Sequence, residues 1–487
     1  MRFSRLIRVV LFLGLFAMAV RVSADTDSFW HLRAGTWMLE QKEILRADPF
    51  SLTRNGESWI YPGWLAQVGM ALLYQGLGYA GLNLLVAFMV VAAFWWIWRS
   101  ITGPELWRAF VIVLGAAVSG VYWSARPQIL SFALAGLWIY YLERIRAKRT
   151  QRSWILPLSM ILWVNLHGGF AIGFILLGVY GAGEIVEVGR DWLQNSTSWR
   201  SAWNDHRERI LHMILLGVLS LAAVCLNPHG PIMLLYPLKT VSIGALQDYI
   251  AEWQSPNFHM RESQPFLWMF MLTWLALATS KRRAHATELI ALIAFGYLGF
   301  TASRNVALLG LIAAPVLARH GYSSLQPIID RIPPGRDLSP KLAHSLNLVL
   351  AILVAGAVLL KVSVPLMTET NLEELESRHP TAAIEFILRE RPPGPLFNSY
   401  NWGGYVTWAL FPHYLSFVDG RTDLFGDEIL SQYIQVWRAD PEWQQILDAW
   451  DVHLALVETA APIAKVMLYE GWDVLYQDSE AIVLGHP

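Results

Sequence analysis

The chain is 487 residues long, 55% hydrophobic and only 15% charged, with 24 tryptophans and a formal net charge of −1. A soluble chain carries about 25% charged residues, and without a basic excess there is no case for a nucleic-acid partner; the composition describes an α-helical polytopic membrane protein. Cys225, the only cysteine, lies in an apolar run, which excludes an intramolecular disulfide and a cysteine metal cluster.

In chain order, Arg2, Arg5 and Arg8 precede an apolar run that reaches Val20. This reads as a first span over about 6–22, retained as an anchor; the following Val22-Ser23-Ala24 also suits cleavage as a signal peptide. Residues 23–79 form a long outer loop, in which 63–77 reads as a helix lying at the interface. Further spans are expected over 80–98, 107–123, 127–143, 154–166, 168–187, 209–226, 265–280, 287–303, 304–319 and 344–363, about eleven crossings in all. This puts Arg144, Arg146, Lys148, Arg149 and Arg152, then Lys281, Arg282 and Arg283, then Arg331, Arg336 and Lys341 on the cytoplasmic side, as the positive-inside rule requires. Arg21 and Arg33 run against it. Counting 63–77 as a span would invert every basic loop.

The same topology gathers the unusual polar motifs on the outer face: Ala125-Arg126-Pro127-Gln128, Asn165-Leu166-His167-Gly168-Gly169, Asn227-Pro228-His229-Gly230, Glu252-Trp253-Gln254-Ser255-Pro256 and Ser303-Arg304-Asn305. Almost no charged residue falls midway along a span. From 364 to 487 charges return and helix and strand patterns alternate. Strands are expected at 395–398, 415–418, 453–457, 474–477 and 481–484, with helices at 381–391, 427–437, 442–450 and 461–470, giving an extracytoplasmic α/β domain with a mostly parallel sheet. The division is thus a membrane domain over 1–363 and a soluble domain over 364–487.

The residues able to carry chemistry begin with Asp25 and Asp27. Carboxylates at the exit of a span are costly unless water, a partner or a ligand stabilises them. One residue apart in an extended loop, they would face one side and divide a base role or hold a divalent cation such as Mg²⁺ or Mn²⁺. The structural alternative is a solvated loop, or a cap on the helix starting at Ser28. His31, four residues after Asp27, shares its helical face and is a candidate for donor phosphate. Arg126 and Arg304 are candidate phosphate forks at a boundary; the alternatives are snorkelling for Arg126 and pairing with Glu252 for Arg304. His167, backed by two glycines, and His229 stand in turns that either bind substrate or only sit at the interface. Asp419 and Asp423 either aim Arg421 at a ligand or lock it in a buried ion network.

An Asp-x-Asp just after the first span, on a long outer loop with an interfacial helix, resembles the GT-C superfamily of membrane glycosyltransferases. Phe29-Trp30-His31-Leu32, Ala47-Asp48-Pro49-Phe50-Ser51, Arg126-Pro127-Gln128, Asn165-Leu166-His167-Gly168-Gly169, Asn227-Pro228-His229-Gly230, Trp402-Gly403-Gly404-Tyr405 and Val418-Asp419-Gly420-Arg421-Thr422-Asp423 resemble a bacterial branch of the dolichyl-phosphate-mannose-protein mannosyltransferase-like group. The resemblance implies a multi-pass protein of the bacterial plasma membrane, with a cytoplasmic N-terminus and an outer C-terminal domain. It implies a polyprenyl-phosphate-linked sugar as donor, and a glycan, lipid or protein acceptor. Where that family has His-Glu-Trp before the interfacial helix, this chain has Pro62-Gly63-Trp64, so that acid's role is missing or moved. Sugar transfer is the leading expectation. The alternatives are a lipid-linked glycan carrier or flippase, and a catalytically silent envelope assembly protein.

Overall fold

A computed structural model describes the chain except residues 23–24, 150–151, 195–197, 245–249, 332–338 and 487. Ser23 and Ala24 of the candidate cleavage stretch and Arg336 of the last basic tract therefore lie outside the described residues. The protein is mostly helical and divides into two compact units. The first comprises 1–21, 83–234 and 251–364; the second comprises 22–82, 235–250 and 365–487. The loop carrying Asp25 and Asp27 thus belongs with the C-terminal segment.

The first unit is a helical bundle. Five helices among the described residues are long and apolar enough to cross a membrane: Trp64–Ser100, Glu105–Tyr122, Gly168–Gln194, Ser303–Ile329 and Pro340–Leu366. Ile155–Leu166 and Ala286–Thr301 are apolar but shorter. The helix Val306–Ile329 is buried along most of its length and forms the bundle's axis. The helix from Trp64 is interrupted at Gly78, whose φ of 59° and ψ of −147° are open to glycine. The stretch expected at the interface, 63–77, is therefore a helical segment separated from the one that follows, and it belongs to the second unit.

Buried charges do occur toward the ends of the expected spans: Glu184 is buried on Ala171–Gln194, and Glu288 with His320 is buried between Ala286–Thr301 and Val306–Ile329. Each has a neutralising or hydrogen-bonding partner on another helix, which the sequence alone does not reveal.

The second unit contains a four-stranded sheet, with β1 Leu396–Asn398, β2 Leu454–Glu458, β3 Asp473–Gln477 and β4 Ala481–Gly485. The order is β1-β2-β4-β3; β1 and β2 are parallel, whereas β4 runs antiparallel to both β2 and β3. The expected mostly parallel sheet is thus replaced by a mixed one. The reason is local: Asp478 Oδ1 accepts from the backbone N–H of Glu480 at 2.8 Å and of Ala481 at 2.7 Å, closing a turn between β3 and β4 too short for a parallel crossover. β2 and β4 are buried on both faces, while β3 is an exposed edge.

Residues 415–418, expected as a strand, join the 47–53 loop instead. Ser416 N–H donates to Phe50 O at 3.1 Å and Leu52 N–H to Ser416 O at 2.8 Å. Asn398 takes the place of a sheet neighbour: its Oδ1 accepts from Phe417 N–H at 2.7 Å and its Nδ2 donates to Val418 O at 2.9 Å. The helices Thr381–Glu390, Thr422–Arg438, Trp443–Ala449 and Pro462–Tyr469 stand near their expected positions, and Gly403–Leu410 is an additional one.

Candidate functional site

In the second unit, Asp25 is the N-cap of the helix Thr26–Gln41, and its Oδ1 accepts the Asp27 backbone N–H at 3.1 Å. The capping alternative therefore describes Asp25. Asp27 is in the helix's first turn, where its Oδ1 accepts from Trp30 Nε1 at 3.1 Å. The expected extended loop is absent because helix formation begins at Thr26.

The two glycine motifs of the C-terminal segment build the wall around this helix start. A Cβ on Gly404 would lie 2.2 Å from Thr26 O, one on Gly403 would lie 2.1 Å from Val418 O, and one on Gly420 would lie 1.8 Å from Asp27 Oδ1. No other residue type allows these approaches. Trp402-Gly403-Gly404 and Val418-Asp419-Gly420 are thus packing motifs centred on the acid pair.

His31 is buried, stacked on Trp30 with ring centroids 3.5 Å apart, and its Nδ1 lies 3.3 Å from Gln67 Nε2. It lies on the same helix as Asp27, among Trp59 and Tyr61, whose rings pack on Trp30 at 5.9 and 5.6 Å. Arg421 is 1% exposed and Asp419 is fully buried. Arg421 Nε donates to both Asp419 oxygens at 2.9 and 3.0 Å, its Nη2 donates to Asp419 Oδ2 at 2.7 Å, and its Nη1 donates to Asp48. Trp59 and Phe50 lie against the guanidinium at 5.0 and 5.5 Å. The geometry of Arg421 is that of the buried ion network.

The second acid of that network is Asp48, not Asp423. Asp48 is fixed by its own turn, accepting from Phe50 N–H and Ser51 N–H at 3.1 Å each. Asp423 sits in the first turn of Thr422–Arg438 and accepts from Tyr236 Oη at 3.1 Å; burial pushes its carboxyl above the ordinary range. Tyr236, a hundred and more residues from either acid motif in sequence, carried no signal that could have found it.

In the first unit, three of the expected residues converge with Glu252. Arg126 Nη2 donates to Glu252 Oε2 at 2.9 Å, and Arg304 Nη1 lies 3.6 Å from Glu252 Oε1, with its guanidinium 4.3 Å over Trp253. Burial alone would raise the Glu252 carboxyl, but Arg126 and then Arg304 outweigh it and hold it below the ordinary range. His167 Nδ1 accepts from Gly169 N–H at 3.0 Å and lies 2.8 Å from Ser131 Oγ, which itself accepts from Trp163 Nε1 at 2.7 Å. Burial, then Arg304 and Arg126, lower the His167 pKa to about 3. The ring is neutral at ordinary pH, and with Nδ1 accepting, its proton is on Nε2, which makes no hydrogen bond to a described residue.

His229 is in the neighbouring turn, where Asn227 Oδ1 accepts the His229 N–H at 3.0 Å while Asn227 Nδ2 donates to Asn165 Oδ1 at 3.2 Å. The nine expected residues therefore sort by unit: Asp25, Asp27, His31, Asp419 and Arg421 in the second, and Arg126, His167, His229 and Arg304 in the first.

Among the described residues no group of three or more His, Cys, Asp or Glu side chains converges to hold a metal ion. A divalent cation would rest on Asp25 and Asp27 alone, a donor set that leaves most of the coordination to water or substrate.

No family model matches the chain, and no curated protein matches it. Solved structures do. The chain is similar to archaeal oligosaccharyltransferase AglB from Archaeoglobus fulgidus in complex with an inhibitory peptide and a dolichol-phosphate, with a TM-score of 0.53 and 12% identity over 93% of this chain and 69% of that one. It is also similar to the Archaeoglobus fulgidus oligosaccharyltransferase in complex with Zn and sulfate, with a TM-score of 0.50 and 13% identity over 92% of this chain and 68% of that one. The chain shares the fold of these membrane enzymes.

Proposed function

We propose that the chain is a GT-C-type membrane glycosyltransferase. It moves a sugar from a polyprenyl-phosphate donor to an acceptor hydroxyl on the extracytoplasmic face, with the N-terminus cytoplasmic and about eleven crossings in a bacterial plasma membrane. The observation that carries the reading is the Asp25–Asp27 helix start, walled by two glycine motifs, on a fold shared with oligosaccharyltransferases. One of those enzymes is in complex with a dolichol-phosphate and a peptide, which supports a lipid-linked donor here.

Asp27 is the proposed base. Its carboxylate takes the proton of the acceptor hydroxyl as that oxygen bonds to the anomeric carbon; the bond from that carbon to the phosphate oxygen breaks, and polyprenyl phosphate leaves. Asp25 keeps the helix start in place. Within the first unit, Arg126 and Arg304 would bind the phosphate of the donor, and the Nε2–H of His167 would donate to it without needing a charge. Asp419 and Arg421 are positioning residues that hold the Gly420 backbone against Asp27. A divalent cation held by Asp25 and Asp27 would neutralise phosphate charge. No step above is routed through it.

In proteoliposomes given a polyprenyl-phosphate sugar and an acceptor extract, replacing both Asp25 and Asp27 by Asn is expected to abolish transfer while the protein keeps its elution profile. Persistent transfer would remove the proposed base. The second reading is a lipid-linked glycan carrier or flippase, which needs charged residues midway along the spans. Scrambling of a lipid-linked glycan by the same double variant, with no transfer by the wild type, would select it.

A further inference from the structure

The first unit holds a second polar region at the other end of its helices. The helix Gln128–Arg146 starts beside Arg126 and ends there, roughly 30 Å away at 1.5 Å per residue. A cavity of about 580 Å³ opens at this end, lined by seven guanidinium or ammonium groups against two carboxylates. Its volume suits a small-molecule site.

The two carboxylates are already committed. Glu143 accepts from Arg146 at 2.7 Å and Arg319 at 3.0 Å, and Glu184 accepts from Arg209 at 2.8 Å. The remaining four cations, Arg99, Arg144, Lys148 and Arg149, form no ion pair with a described carboxylate. Two of their side chains are nonetheless held. The Arg99 and Arg144 guanidinium groups lie 5.3 and 5.6 Å from the Tyr140 ring, and Arg144 Nη2 donates to Arg149 O at 2.5 Å. Cations that only snorkel to headgroups spread along a surface; here they converge on a concavity, where their mutual repulsion calls for an anion.

We propose that this cavity binds a phosphate or diphosphate group, carried by a lipid headgroup or by a soluble molecule. The forked donors of Arg99, Arg144 and Arg149 grip its oxygens, and Lys148 adds a point charge. The site rests on the first unit alone and is independent of the transfer reading.

The test uses the full chain in phosphatidylcholine nanodiscs. Inorganic pyrophosphate binding is measured by calorimetry, and nanodiscs containing phosphatidic acid are scored for that lipid co-purifying. The double variant Arg144→Gln/Arg149→Gln is expected to weaken whichever probe binds by at least about tenfold. Arg389→Gln, on the surface of the other unit, should leave it unchanged. If the double variant elutes as aggregate, Arg99→Gln/Lys148→Gln replaces it, since it keeps the Arg144 bond to Arg149 O. Pyrophosphate binding supports a soluble ligand, and selective retention of phosphatidic acid supports a lipid headgroup. Failure of both probes to bind the wild type, or equal binding by the folded variants, overturns the proposal.

Discussion

Two ion triads of opposite design stand in the two units. In one, Arg421 is wedged between Asp48 and Asp419, and all three side chains are fully buried. In the other, Glu252 is shared by Arg126 and Arg304, and its side chain is 33% exposed with theirs at 17% and 26%. A wholly desolvated triad cannot exchange partners, because any member left alone is an uncompensated buried charge. A half-open triad with two cations and one acid has a surplus positive charge and access, so a phosphate can take up what Glu252 leaves unsatisfied. An Arg near an Asp or Glu is therefore architecture in one unit and a candidate anion site in the other, and burial separates the two.

That contrast can be broken most sharply by stability. Arg421→Met is expected to cost about 3–5 kcal/mol, read as a large fall in unfolding temperature in detergent, whereas Arg126→Gln should cost no more than about 1 kcal/mol. Equal losses would erase the distinction. Next in size is Gly420→Ala. Its new Cβ must displace Asp27 Oδ1, and transfer should fall on the order of 10²-fold through misplacement of the base. Unchanged transfer would show that the Gly420 contact does not position Asp27.

A smaller effect sharpens the open triad. Arg304→Gln should raise the donor KM by about tenfold; a fall in kcat with KM unchanged would instead place Arg304 in transition-state stabilisation. The smallest effect is in pH. His167 titrates near 3 in the folded protein and near 6.5 when unfolded, so the unfolded chain binds the extra proton between those values. This term costs stability progressively as pH falls from about 6.5 to 3. In His167→Gln that acid loss should be shallower, read as unfolding temperature against pH; an identical slope would contradict a buried neutral imidazole.

Much of this was legible in the sequence where chemistry is local. The cap at Asp25 was legible only as the alternative to an extended acid pair, and Asn227-Pro228-His229-Gly230 announces a turn. The packing role of Gly404 and Gly420 was not legible, because each is dictated by an atom distant in sequence, Thr26 O or Asp27 Oδ1. Nor was Asp48, which precedes its partner Arg421 by 373 residues. The sheet was misread for a related reason. Alternating helix and strand patterns suggest parallel crossovers, yet β4 returns through a turn set by one Asp478 side chain and inserts between β2 and β3. The partners of Glu184 and Glu288 were not legible either, because Arg209 and Arg319 reach them only across helices.

The most direct test separates the two acids of the proposed site. Asp25→Asn preserves a capping side chain, while Asp27→Asn removes the proposed base with little change in shape. In single-turnover transfer from a polyprenyl-phosphate sugar, with donor binding followed on the same proteoliposomes, Asp27→Asn should bind donor like the wild type and transfer at least about 10²-fold more slowly, with Asp25→Asn much closer to normal. Transfer by Asp27→Asn within a few-fold of the wild type would contradict the account.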